Sequence, residues 1–190
     1  MSPVRDQPAS WPVASSRVDF DGALISVRTD ALADGDTTFD RNVVVHPGAV
    51  GVVALDEHGR ALVITQYRHP ARARLVEFPA GLLDVEGEDP LAAARRELRE
   101  EGLAEADRWR ELVVMRPSPG MSDEVVRIYL AEGVRAASAP DGFEAVHEEA
   151  GITREWIPLD DIVDAVLRGE VTNGLTIAGS LAAWRLRHEN

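Results

Sequence analysis

One stretch, EFPAGLLDVEGEDPLAAARRELREEGL from Glu77 to Leu103, constrains this chain more than any other. It grows out of an apolar, strand-like run, Leu75–Phe78. A turn at Pro79-Ala80-Gly81 and an acidic loop follow, and a helix is predicted from Pro90. Asp89 suits the N-cap and Pro90 the first helical position, where a missing N–H costs nothing. Leu91, Ala92, Ala93, Ala94 and Leu98 favour helix, and Gly102 is expected to end it. Glu97 lies three residues before Glu100 and four before Glu101, so the three carboxylates share one face. They crowd the negative end of the helix dipole, where like charges repel. Arg96 and Arg99 offset part of that repulsion. Hard divalent cations, which take oxygen ligands, would remove the rest. A solvated charged face is the plain alternative. The preceding strand and glycine turn favour the cation, because they bring a backbone carbonyl at Ala80 within reach of the carboxylates.

The rest of the chain supplies the frame. Its 190 residues suit one domain with a small appendage, and an apolar fraction of 45% suffices for a core. Residues 1–16, rich in Pro and Ser, read as a mobile tail. Residues 17–45 read as a small antiparallel β-sheet: strand character over Val18–Leu32 with a turn signal at Asp21-Gly22, a turn at Asp34-Gly35-Asp36, and a strand over Phe39–His46. Residues 46–190 form the main domain. There Ala49–Leu55 and Ala61–Tyr67 read as strands joined at Asp56–Gly59, and their unbroken apolar character predicts burial on both faces. Further strands are expected at Trp109–Met115, Val125–Ala131 and Ile152–Ile157. Helices are expected at Leu159–Arg168, with apolar Ile162, Val163, Val166 and Leu167, and at Asn173–His188, with Ile177, Leu181 and Trp184 facing inward. Helices flanking a mixed sheet make an α/β/α sandwich.

Charge and composition exclude several functions. A net charge of −13 argues against nucleic acid or an anionic membrane as partner. The absence of cysteine removes disulfides, thiolate metal sites and thiol catalysis, and is compatible with the cytoplasm. The N-terminus has no apolar signal core, and no run of about 18 apolar residues predicts a membrane span.

The central stretch resembles the signature of the Nudix hydrolases, G-x5-E-x7-R-E-U-x-E-E-x-G-U with U aliphatic. Arg96, Glu97, Leu98, Glu100 and Glu101 match, as does the spacer from Glu88 to Arg96. The spacer from Gly81 to Glu88 is one residue longer than the signature, and Gly102 comes one residue early. The resemblance implies the Nudix α/β/α fold with a mixed sheet, preceded here by the small N-terminal sheet. It also implies magnesium, with manganese as a substitute, held by Glu97, Glu100, Glu101 and the Ala80 carbonyl, with Arg96 orienting the glutamates.

Other residues resemble the ADP-ribose pyrophosphatase branch. Arg68, in Gln66-Tyr67-Arg68, is the candidate phosphate contact, with Glu77 as a further substrate contact. Ser118-Pro119-Gly120 stands about sixteen residues beyond the signature, where that branch carries a proline. The long polar loop ends His147-Glu148-Glu149-Ala150. In similar enzymes a loop glutamate acts on the attacking water, and the choice between Glu148 and Glu149 is open. Phe39 and Arg41 are candidate contacts to the base, since the N-terminal strands of such enzymes exchange between the subunits of a homodimer. The resemblance thus implies magnesium-dependent hydrolysis of ADP-ribose to AMP and ribose 5-phosphate. Another nucleoside diphosphate sugar such as GDP-mannose, an oxidised nucleotide, and a non-hydrolysing sensor of such ligands are the alternatives.

Overall fold

The computed structural model describes residues 4–140 and 151–189. The chain divides into two compact units, Met1–Pro47 with Ser118–Glu124, and Gly48–Pro117 with Val125–Asn190. Among the described residues no helix is long and apolar enough to cross a membrane.

The first unit is a three-stranded antiparallel meander of β1 (Val13–Asp21), β2 (Ser26–Asp34) and β3 (Thr37–Val45). Val13–Ser16, expected in the tail, belong to β1. The region expected as strand over Val18–Leu32 is a hairpin that turns at Gly22, whose N–H bonds the Ile25 carbonyl. A polar network ties the sheet together. Asp30, 8% exposed, accepts from Ser16 and Arg28, while Thr29 donates to Asp19 and accepts from Asn42. Residues 118–124 extend this unit: the Val44 N–H bonds Met121, and the Asp123 carboxylate accepts the His46 N–H.

The second unit is the α/β/α sandwich. Its mixed sheet runs β10–β5–β4–β9–β8, from β4 (Ala49–Leu55), β5 (Arg60–Arg68), β8 (Ala104–Met115), β9 (Val126–Ala136) and β10 (Thr153–Pro158). β4 and β9 are parallel, and the other pairs are antiparallel. Alternation along the central strands explains the two layers. Val50, Val52, Ala54 and Leu62 face a cluster completed by Ala93, Ala94 and Leu98 of α1 (Pro90–Glu100). Val53, Leu55, Ala61 and Val63 face the other layer, with Leu159 and Ile162 of α2 (Leu159–Leu167) and Ala183 of α3 (Gly174–Arg187). Leu167, expected among the apolar contacts of α2, is exposed.

Two further strands position the site. β4 and β5 pair only at Leu55 and Ala61 and then separate. β6 (Ala73–Glu77) pairs with the far half of β5, and β7 (Ala80–Leu82) with the first half of β4. The expected turn at Pro79-Ala80-Gly81 is therefore mostly strand. Only Phe78 and Pro79 separate the two segments, and the Pro79 carbonyl accepts the Val52 N–H at 2.9 Å.

The last helix corrects the predicted inward face. α3 buries Thr176, Gly179, Ser180 and Ala183; of the expected residues Trp184 packs against the core, while Ile177 is half-buried and Leu181 is exposed. The sheet offers large side chains here, so the helix must offer small ones. A Cβ on Gly179 would lie 3.0 Å from Val53 and 3.2 Å from Phe78. Helical periodicity measures apolar character and is blind to which partner brings the bulk.

Candidate active site

Helix α1 starts as its sequence demands. The Asp89 side chain caps the Leu91 and Ala92 N–H groups, and Pro90 follows. Its end differs from expectation. Glu101 is the C-cap, and the left-handed residue is Leu103, with φ 50°. Gly102 serves space instead, because a Cβ there would sit 2.5 Å from the Leu98 carbonyl.

Burial of Ala93, Ala94 and Leu98 fixes the rotation of α1 and turns its glutamates toward β7. Glu97 and Glu101 are only 8% and 7% exposed, so their charges are largely removed from water. The Glu101 carboxylate accepts the Ala80 N–H at 2.9 Å. Glu97 lies against Gly81, where any Cβ would overlap its carboxylate. Arg154 on β10 donates to the Glu101 carbonyl, meeting the negative end of the helix.

Arg96 sits among the acids. Its Nη1 donates to Glu97 at 2.5 Å and to Glu100 at 3.0 Å, and its Nε and Nη2 make a fork on Glu88 at 3.2 and 3.1 Å. Hydrogen bonding to Glu88 raises the guanidinium pKa further above its ordinary value. Burial opposes this, and the charges of Glu97 and Glu100 add to it. One guanidinium meets three carboxylates, so the cluster keeps a surplus of acid.

These residues fit a divalent cation by donor chemistry: several hard carboxylate oxygens at one helix end, next to the Ala80-Gly81 backbone. Among the described residues no three acidic or histidine side chains converge on one metal position. Arg96 bridges Glu97 and Glu100, and Ala80 engages Glu101, so binding a cation requires the carboxylates to turn from these partners.

Arg68 and Glu77 form a second feature of the same unit. The guanidinium makes a fork on Glu77 at 3.0 and 2.7 Å, and Gln66 donates to the same carboxylate at 3.2 Å. Glu77 is 2% exposed while the Arg68 side chain is 44% exposed. Glu77 thus holds a partly exposed arginine at the end of β5. Phe39, Arg41 and Ser118-Pro119-Gly120 lie in the first unit. Arg41 stands 4.5 Å over the Phe39 ring, and Trp11 meets that ring edge-on at 5.8 Å. The Ser118 carbonyl closes a turn by accepting the Met121 and Ser122 N–H groups. Glu148 and Glu149 lie outside the described residues.

Sequence reasoning overlooked Arg154 and Trp11. Each sits alone in its segment, more than 20 residues from the group it contacts, and no local spacing marks it. Glu88 was legible only as a spacer mark. Its fork to Arg96 needs the loop to fold back on α1.

Residues 45–175 match the model of the NUDIX domain. The chain is 47% identical to the ADP-ribose pyrophosphatase of Mycobacterium tuberculosis, over 88% of this chain and 80% of that one. It is 41% identical to the ADP-ribose pyrophosphatase of Bacillus subtilis, over 83% of each. A solved structure, described as an ADP compounds hydrolase, superposes with a TM-score of 0.76 over 96% of both chains at 18% identity, a likeness of fold.

Proposed function

The chain belongs to the Nudix family of hydrolases, and from that premise we propose that it hydrolyses the pyrophosphate bond of ADP-ribose, giving AMP and ribose 5-phosphate. Supporting this reading is the cluster of Glu97, Glu100 and Glu101 against Ala80 and Gly81, in a chain so similar to two ADP-ribose pyrophosphatases. Glu97, Glu100 and Glu101 would hold the divalent cation, magnesium in the first instance and manganese as substitute. When bound it would neutralise diphosphate charge and assist loss of the leaving phosphate.

The chain's own residues have separable tasks. Arg96 orients the carboxylates and limits their repulsion. Arg68, steadied by Glu77, is the contact for a substrate phosphate. Glu148 or Glu149 takes the proton of the attacking water. Phe39, Arg41 and Ser118–Gly120 contribute to recognition of the nucleoside and its sugar. Residues 46–190 carry catalysis, and residues 17–45 contribute to a homodimer. The cysteine-free sequence is compatible with a cytoplasmic enzyme.

The test is product analysis with the full chain. ADP-ribose is incubated with magnesium, with manganese and with EDTA, alongside GDP-mannose. Release of AMP and ribose 5-phosphate that EDTA abolishes is expected. Binding of ADP-ribose without release would make the protein a sensor. A higher kcat/KM for GDP-mannose would reassign the substrate.

A further inference from the structure

On its outer side α1 lines a cavity of about 460 Å³ with the start of β8. Its walls are Arg95, Arg96, Arg99, Glu105, Ala106, Trp109 and Pro140, all in the second unit. Arg95 and Arg99 are four residues apart and project from the same face, away from the buried Ala94 and Leu98. The Arg95 guanidinium stands 5.8 Å from the centre of the Trp109 ring. This is near the outer limit of a cation–π contact, so the arginine is loosely held.

The charges around this cavity are unequally committed. Arg96 is spent on Glu88, Glu97 and Glu100. Glu105, the acid in the wall, pairs with Arg135 at 3.0 Å. Arg99 donates to the Ser138 carbonyl and Arg95 only faces the indole, so neither has a carboxylate partner among the described residues. Trp109 is half-buried and its Nε1 donates to the Ala106 carbonyl at 3.0 Å. That bond holds the indole in the cavity wall, with the Arg95 guanidinium over its ring. Two guanidiniums with no carboxylate partner among the described residues are therefore set beside an indole in a protein of net charge −13.

We propose that this cavity is a second nucleotide site, in which Arg95 and Arg99 take a phosphate and Trp109 takes the base. Guanidiniums bind phosphate by paired, charge-assisted bonds, and a base stacks on an indole whatever its sequence identity. The volume falls in the range of small-ligand pockets. The site is separate from the carboxylate cluster, which lies on the opposite, β7-facing side of α1. Arg96 borders both, so a ligand here adjoins the side chain that orients Glu97 and Glu100.

Calorimetry on the full chain in EDTA tests this without any turnover, using AMP, inorganic phosphate and adenosine as probes. AMP is expected to bind more tightly than either fragment. The variant Arg95→Ala/Arg99→Ala is expected to weaken AMP at least about tenfold. Trp109→Leu is expected to weaken AMP but not phosphate. Arg68→Ala, which alters the proposed substrate contact, should leave AMP affinity in EDTA as it is. Circular dichroism confirms folding, and the two surface arginines are replaceable without touching the core. AMP affinity unchanged by the double arginine variant, or AMP no tighter than phosphate, would overturn the proposal.

Discussion

Gly81→Ala isolates the geometry on which the hydrolytic reading depends. Gly81 has no left-handed backbone, so alanine adds only a methyl group. That methyl would lie closer than 3.0 Å to both oxygens and the carboxyl carbon of Glu97. The carboxylate must retreat by on the order of 1 Å to regain van der Waals distance. Its bond to Arg96, 2.5 Å long, is then stretched or broken. A misplacement of this size at a reacting centre costs roughly a hundredfold in rate, or about 2.7 kcal/mol of transition-state stabilisation. Overpacking costs roughly 1–3 kcal/mol of stability, with the lower end expected because a flexible side chain yields. The assay is AMP release from ADP-ribose with magnesium, paired with thermal unfolding. Gly87→Ala is the control. It sits at φ 77° with open space around it, so it should lose about 1 kcal/mol of stability and no activity. A kcat/KM for Gly81→Ala within about threefold of the parent would refute the placement of Glu97 at the reacting centre.

Four other substitutions probe further parts of the chain. Glu101→Gln keeps an oxygen for the Ala80 N–H and removes one charge from the cluster, so turnover should fall by orders of magnitude with an unchanged melting temperature. Unchanged turnover discards Glu101 as a cation ligand. Arg68→Ala leaves the buried Glu77 with only Gln66, and should cost about 2 kcal/mol in urea unfolding, below the fully buried value because Arg68 is 44% exposed. Adding Glu77→Gln should recover most of it; no recovery would mean the ion pair is not the cause. Asp56 lies in the β4–β5 turn. Burial would raise its pKa, but hydrogen bonds from Arg60 and His58 outweigh that and hold it below 3.8. A depressed carboxylate contributes stability that is fully present above its ordinary value and lost as pH falls through the lower folded value. The stability gap between the parent and Asp56→Asn should therefore be constant at neutral pH and close in acid below 3.8; a gap independent of pH contradicts this.

Local chemistry decided much of this protein before any fold was known. Asp89 and Pro90 set where α1 begins, and the unbroken apolar runs of β4 and β5 announced a sheet covered on both faces. The repulsive spacing of Glu97, Glu100 and Glu101 pointed to a cation, and the strings around them pointed to the family. All of these depend on residues within a few positions of one another, where covalent geometry dictates who meets whom. Tertiary structure decided the rest. Only the separation of β4 from β5 makes Ala80 and Gly81 a strand and sets them against Glu101 and Glu97. Only the bulk of Val53 and Phe78 turns the small face of α3 inward. Arg154 reaches the end of α1 from β10, and Glu88 reaches Arg96 across a loop. Such contacts depend on packing between segments distant in the chain, and no periodicity carries that information.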